Sequence, residues 1–245
     1  MSATFASPAE PQAPAAAARR ILVWDAPVRL FHWLTVLSFA GAWLTAESER
    51  WRLLHVTLGY TMAGLVVFRL LWGLVGTRHA RFATFVRGPA AAGRYLRSLF
   101  GGTPEHHTGH NPAGALAIVA LLALALGVSF TGWAHFNGVF GGWTEDVHEA
   151  LANAMLALVV LHVAAVVLAS RLHRENLVAA MVSGRKQGLP QDAIRRAWRG
   201  VALLMAVAVL GFWWQQWQAA PAGGAIAERP HAAGRAGHDG DHDDD

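Results

Sequence analysis

The chain has 245 residues, 54% hydrophobic and 15% charged, with a formal net charge of +4 and no cysteine. Water-soluble domains carry about 25% charged residues, so this composition excludes a secreted enzyme, a nucleic-acid binder and a soluble dehydrogenase. The missing thiols exclude disulfides, thiolate metal sites, iron–sulfur clusters and haem tethered through a Cys-x-x-Cys-His motif.

Residues 1–20 are rich in Ala and Pro, end in Arg19-Arg20 and contain no apolar h-region. They are not a secretory signal; a disordered cytoplasmic N-terminus is expected, with the first span acting as an uncleaved insertion signal. Asp25 is placed to cap the first helix and Pro27 suits its first turn. Residues 30–46 carry no charge and contain His32. Residues 53–77 carry one, Arg69, and open with His55, followed one turn later by Gly59. Residues 111–144 and 150–170 are uncharged; His148 stands at the start of the second of these spans and His162 lies within it. Residues 200–227 are again uncharged, and a helix is expected over 198–217, ending in Trp213-Trp214-Gln215-Gln216-Trp217. From 218 onward a disordered tail is expected, acidic and bearing His231, His238 and His242. A helix crosses a bilayer with roughly 20 mostly apolar residues. Five stretches approach or exceed that, so the chain reads as an all-α polytopic membrane protein.

Basic residues set the orientation of such a protein, because they stay on the cytoplasmic side. Between the five spans, fifteen Lys and Arg fall on one side and four on the other, with Arg69 inside a span. The N-terminus is therefore expected in the cytoplasm and the C-terminus outside, in the periplasm. Tryptophans cluster near the span ends, as interfacial anchors do. The pI near 10.6 thus reflects topology and not a polyanion site, and membrane lipid is the expected surrounding.

Four histidines lie in or at the ends of these spans, where polar groups are costly and usually face a functional interior. His148 and His162 are 14 residues apart. On a helix that is roughly 21 Å of rise and about 40° short of four full turns, so both rings project from nearly one face at two depths. Given the orientation, His32 matches His162 in depth near the cytoplasmic side, and His55 matches His148 near the outer side. Two stacked bis-histidine sites follow. Neutral imidazole ligates haem iron well, whereas zinc wants three or four protein ligands. Two b-type haems are the cofactor this pattern predicts, held by the pairs His32–His162 and His55–His148. Taken singly, each histidine also reads as a hydrogen-bonded or headgroup-facing residue.

Arg69 is 14 residues from His55 and shares its face, at the cytoplasmic end of the second span. A buried arginine needs a partner, and a propionate of the inner haem is a natural one; snorkelling to the interface is the alternative. Gly59 leaves room for a macrocycle or serves close helix packing. His79, His106, His107, His110, His135 and His173 read as solvated loop residues, and the tail histidines with Asp239, Asp241 and Asp243 to Asp245 as a solvated acidic tail.

At these residues the chain resembles the family of bacterial cytochrome b561 and the cytochrome b subunits of nickel–iron hydrogenases. The resemblance rests on the opening Val23-Trp24-Asp25-Ala26-Pro27-Val28-Arg29-Leu30-Phe31-His32-Trp33, on His55 with Gly59, on Phe68-Arg69-Leu70-Leu71-Trp72-Gly73, and on the His148/His162 pair. It covers about residues 21–185. It implies a four-helix transmembrane haem-binding bundle carrying two haem b and exchanging electrons with quinone. The fifth C-terminal transmembrane helix and the tail stand outside that common core. The function expected is respiratory electron transfer in the bacterial inner membrane, between the quinone pool and a redox partner such as a periplasmic cytochrome c or a hydrogenase. Two rivals are direct quinone oxidoreduction, including superoxide-linked activity, and a haem-free transporter with a His-lined pore.

Overall fold

A computed structural model describes residues 19–100 and 108–220 of the chain. The expectations for residues 1–18, for His106 and His107, and for the acidic histidine tail from 221 lie outside the described residues.

The fold is all-helical apart from one short ribbon. In chain order the elements are β1 (Arg19–Leu22), α1 (Ala26–Thr45), α2 (Arg52–Val75), α3 (Phe82–Phe85), α4 (Pro89–Phe100), α5 (Pro112–Phe136), α6 (Trp143–Leu172), α7 (Leu177–Ser183), β2 (Arg185–Gly188) and α8 (Arg199–Ala219). Among the described residues four helical segments are long and apolar enough to cross a membrane: Glu49–Val75, Pro112–Phe136, Trp143–Leu172 and Arg199–Ala219. Helix α1, 20 residues long, falls outside that set. It is the helix that carries Arg29 and His32 among its apolar residues.

The helix starts follow local chemistry. The Asp25 carboxylate accepts from the Val28 amide at 2.8 Å, and Pro27 lies in the first turn of α1. Asn111 does the same for α5, accepting from Gly114 at 2.7 Å ahead of Pro112. Side-chain caps of this kind satisfy amides that have no partner within the helix.

Helix α1 packs on α2, α2 on α5, and α5 on α6. Their shared core contains Phe39, Met62, Val66, Ala125, Val128 and Met155. These four helices form the bundle, and α8 leans on its outside against α1 and α2. Trp213 Nε1 donates to Thr61 Oγ1 at 2.8 Å, and the Trp198 ring meets Trp72 edge-on at 5.6 Å. The fifth helix is thus attached to the bundle without entering its core.

The chain after α6, read from the sequence as a loop before the last span, is a structured cap. Strand β2 pairs antiparallel with β1, Arg19 opposite Gly188 and Leu22 opposite Arg185. Ile21, Val23 and Trp24 are buried there against Met181 and Ala193. Gly184 makes the junction possible: its φ is +79°, its carbonyl accepts from the Val23 and Trp24 amides at 2.8 and 3.0 Å, and a Cβ would meet the Trp24 carbonyl oxygen at 2.7 Å. Only glycine adopts that conformation at that spacing without strain. The cap ties the N-terminal strand, and through it the start of α1, to the basic end of the bundle.

Candidate functional site

Four histidines sit at two levels of the bundle. At the end formed by the C-termini of α1 and α5 and the N-termini of α2 and α6, His55 and His148 are brought together. Their ring centroids are 6.2 Å apart, with the planes 74° from parallel. Each ring is held from behind by a neighbouring helix. His55 Nδ1–H donates to the Ala42 carbonyl of α1 at 2.8 Å. His148 Nδ1–H donates to the Val128 carbonyl of α5 at 3.0 Å, with Thr131 Oγ1 at 3.3 Å. A carbonyl oxygen only accepts, so the proton lies on Nδ1 of both rings and the Nε2 lone pair of each is left available. Holding the far ring nitrogen on a carbonyl is how proteins fix the tautomer and direction of a ligating imidazole.

One small residue gives the His148 ring its space. A Cβ at Gly132 would stand 2.8 Å from His148 Cε1 and 3.0 Å from Nδ1. Gly132 is the residue that lets the ring reach Val128, and no periodicity in the sequence singles it out. Gly59 differs: nothing lies within 4 Å of where its Cβ would be, so this point on the His55 face of α2 borders open space and is not a tight helix contact.

At the basic end, His32 and His162 lie within electrostatic range of one another, without a ring contact. His32 Nδ1 is buried and has no hydrogen-bond partner. Arg69 is 3% exposed, so it does not snorkel to solvent. Its guanidinium lies 4.7 Å over the Phe82 ring, and its Nη1 is buried without a partner. Phe82 itself fills the notch at Gly73, where no Cβ fits. The acid facing Arg69 is Asp25. Beyond capping α1, Asp25 is 1% exposed and accepts from Trp72 Nε1 at 3.1 Å and from Thr77 Oγ1 at 2.6 Å. One carboxylate thus ties α1 to the end of α2, a role that its reading as a helix cap did not reveal.

The loop histidines require a correction. His110 was expected in solvent, but its ring lies 4.4 Å from Trp24 and 4.6 Å from Phe85, and its Nδ1 is buried and unpartnered. Burial first, then the charges of Arg69, Lys186, His79 and His162, pushes its pKa from 6.5 down to about 3. His79 is half-buried and donates from Nε2 to the Asp192 carbonyl at 2.8 Å. His173 is half-buried beside Tyr95 Oη at 3.4 Å. His135 is exposed, as expected. The cap folds over the loop between α2 and α5 and encloses these rings, a long-range event that leaves no local sequence signal.

Chemically, the two levels present imidazole pairs and one buried cation. Among the described residues no three His, Asp or Glu side chains gather as a metal-ion cage. A helical membrane bundle with paired intramembrane imidazoles is the framework of a cytochrome b. The family model of the prokaryotic cytochrome b561 matches residues 23–184. The chain belongs to the prokaryotic cytochrome b561 family, and it is a membrane b-type cytochrome of electron transfer in the bacterial inner membrane. Its relatives include a probable Ni/Fe-hydrogenase B-type cytochrome subunit of Azotobacter vinelandii, 30% identical over 67% of this chain and 87% of the relative. A protein of the same name from Rhodobacter capsulatus is 24% identical, over 68% of this chain and 81% of its own. The probable Ni/Fe-hydrogenase 1 B-type cytochrome subunit of Escherichia coli K12 is 24% identical, over 66% and 88%. No solved structure matches the chain.

Proposed function

We propose that this chain is a dihaem cytochrome b that passes electrons between the quinone pool and a hydrogenase-type or other redox partner. The observation that carries this reading is the geometry of His55 and His148. His55 and His148 would hold one haem iron between them through their free Nε2 atoms, which requires the two rings to stand near each other from neighbouring helices. The 6.2 Å separation, with both Nδ1 atoms tied to carbonyls, fits that requirement. Gly59, one turn after His55 on the same face and with nothing within 4 Å of its Cβ position, fits a macrocycle lying against α2.

His32 and His162 are the second pair. The unpartnered Nδ1 of His32 and Nη1 of Arg69 mark this level as one that lacks its full complement of polar partners. Arg69 supplies a donor for an anionic edge such as a propionate. Haem, when bound, supplies the one-electron chemistry. The protein's part is ligation, exclusion of water and fixed charge: His55 and His148 direct their Nε2 lone pairs, and Arg69 sets a positive field at the other level.

The quinone link is supported by family kinship and the hydrogenase link by the names of the relatives. The excess of basic residues at the end holding β1, β2 and α7 supports an orientation with that end and the N-terminus in the cytoplasm and the C-terminus in the periplasm. The test is haem stoichiometry in the purified protein. His148→Ala and His55→Ala are expected to lose the same absorbing species and to keep one haem per chain. His32→Ala and His162→Ala are expected to lose the other. If His148→Ala and His32→Ala abolish the same species, the pairing is wrong; a wild-type protein without reduced b-haem bands sinks the reading altogether.

A further inference from the structure

Where α6 runs into the cap, two adjoining cavities of about 310 and 280 Å³ open to the surface. Both are lined by Arg174, Glu175 and Asn176. The first extends along α6 to Arg171, Ser170 and Val167; the second runs under the ribbon to Arg20, Arg185 and Lys186. The two together are lined by five cations and one acid.

That acid is already engaged. Glu175 Oε2 lies 3.5 Å from Lys186 Nζ, and its Oε1 accepts from the Gln187 amide at 2.8 Å. Among the described residues Arg20, Arg171, Arg174 and Arg185 form no ion pair. Arg174 is held at φ +50°, a left-handed conformation uncommon for a side chain of its size. It stands two residues past the end of α6, at the junction the two cavities share.

The apolar part of the lining decides what kind of anion fits. Val167, 42% exposed, is one helical turn before Arg171, and Val178, 49% exposed, closes the other wall. Helix α6 is a spanning helix with only 6% of its most apolar window buried within the chain. The cavity therefore begins on a lipid-facing helix and ends among arginines. A soluble polyanion has no use for the valine wall, and a neutral lipid has none for the arginines.

We propose that these cavities form a binding site for the phosphate headgroup of an anionic phospholipid, with its acyl chains lying along α6. Basic pockets at the cytoplasmic ends of spanning helices bind such headgroups by charge, and each basic residue contributes on the order of 1 kcal/mol. A lipid bound here bridges α6 to the β1–β2 ribbon.

The test uses the full-length protein with its cofactor, in detergent. It is titrated with phosphatidylglycerol or phosphatidylcholine, and bound lipid is counted by native mass spectrometry. Phosphatidylglycerol is expected to bind in preference, and Arg171→Gln to weaken it about fivefold. Arg174→Asn is expected to do the same; asparagine tolerates the left-handed conformation, so that variant keeps the fold. Arg94→Gln with Arg97→Gln removes two exposed charges from α4, outside the cavities, and is expected to leave the preference unchanged. Equal binding of the two lipids overturns the site, and so does an equal loss in the α4 variant. Inorganic phosphate is the third arm: if it displaces the lipid at comparable concentration, the site reads free phosphate and the lipid proposal fails.

Discussion

The two histidine levels differ in how far the chain completes them. At the His55–His148 level the Nδ1 of each ring has a protein partner, and both rings are directed by carbonyls of neighbouring helices. At the His32–His162 level the rings are not in contact, and buried nitrogens of His32 and Arg69 have no partner. The contrast lies in what each ring reaches: at the first pair Nδ1 of each ring bonds a carbonyl of the adjoining helix, Ala42 near the end of α1 and Val128 inside α5. At the second pair His32 Nδ1 reaches no such carbonyl and stays without a partner. One level is preorganised by backbone; the other depends on what it binds.

The largest effect expected from this contrast is at Gly132. Gly132→Ala drives a methyl into the His148 ring and breaks its bond to Val128. The cost is about 1–3 kcal/mol, typical of overpacking. The thermal midpoint is expected to fall, with selective loss of the haem proposed at His55–His148. A variant with both haems and an unchanged midpoint removes the claim that this level is fixed by backbone.

Arg69→Gln probes the other level. It leaves the histidines in place but removes the positive field, so the oxidised group there becomes easier to form. Its midpoint potential is expected to drop by tens of millivolts, about 1 kcal/mol for one electron, with haem content preserved. If redox titration shows the potential of the His55–His148 haem moving instead, Arg69 does not serve the level assigned to it.

The smallest effect concerns the cap. With its pKa at about 3 against 6.5 in the unfolded chain, His110 is neutral in the fold, and the unfolded chain binds the extra proton below pH 6.5. Folding stability is therefore lost as pH falls from 6.5 toward 3. His110→Phe, seated between Trp24 and Phe85, is expected to flatten that slope. Melting curves across this range check it; identical slopes show that His110 meets water.

Much of the fold was legible in the residues. The long uncharged stretches, the Asp25 cap and the His148/His162 spacing follow from local rules of hydropathy, capping and helical rise. The His55–His148 proximity was legible too, because depth and orientation together leave few pairings. The ribbon was not: Arg19 to Leu22 and Arg185 to Gly188 are short, polar and far apart in the chain. Nor were the enclosure of His110 and the hub made by Asp25. The notch at Gly132 has the same composition as any helix-packing glycine.

What the sequence determined by itself is the class and the depth of its groups, since burial in a bilayer needs only a run of apolar residues and a fixed rise per residue. Which nitrogen each histidine leaves free, which arginine is buried and which loop closes over the basic end were decided by tertiary structure. Those outcomes depend on contacts between segments tens to well over a hundred residues apart, and no local pattern encodes such a contact.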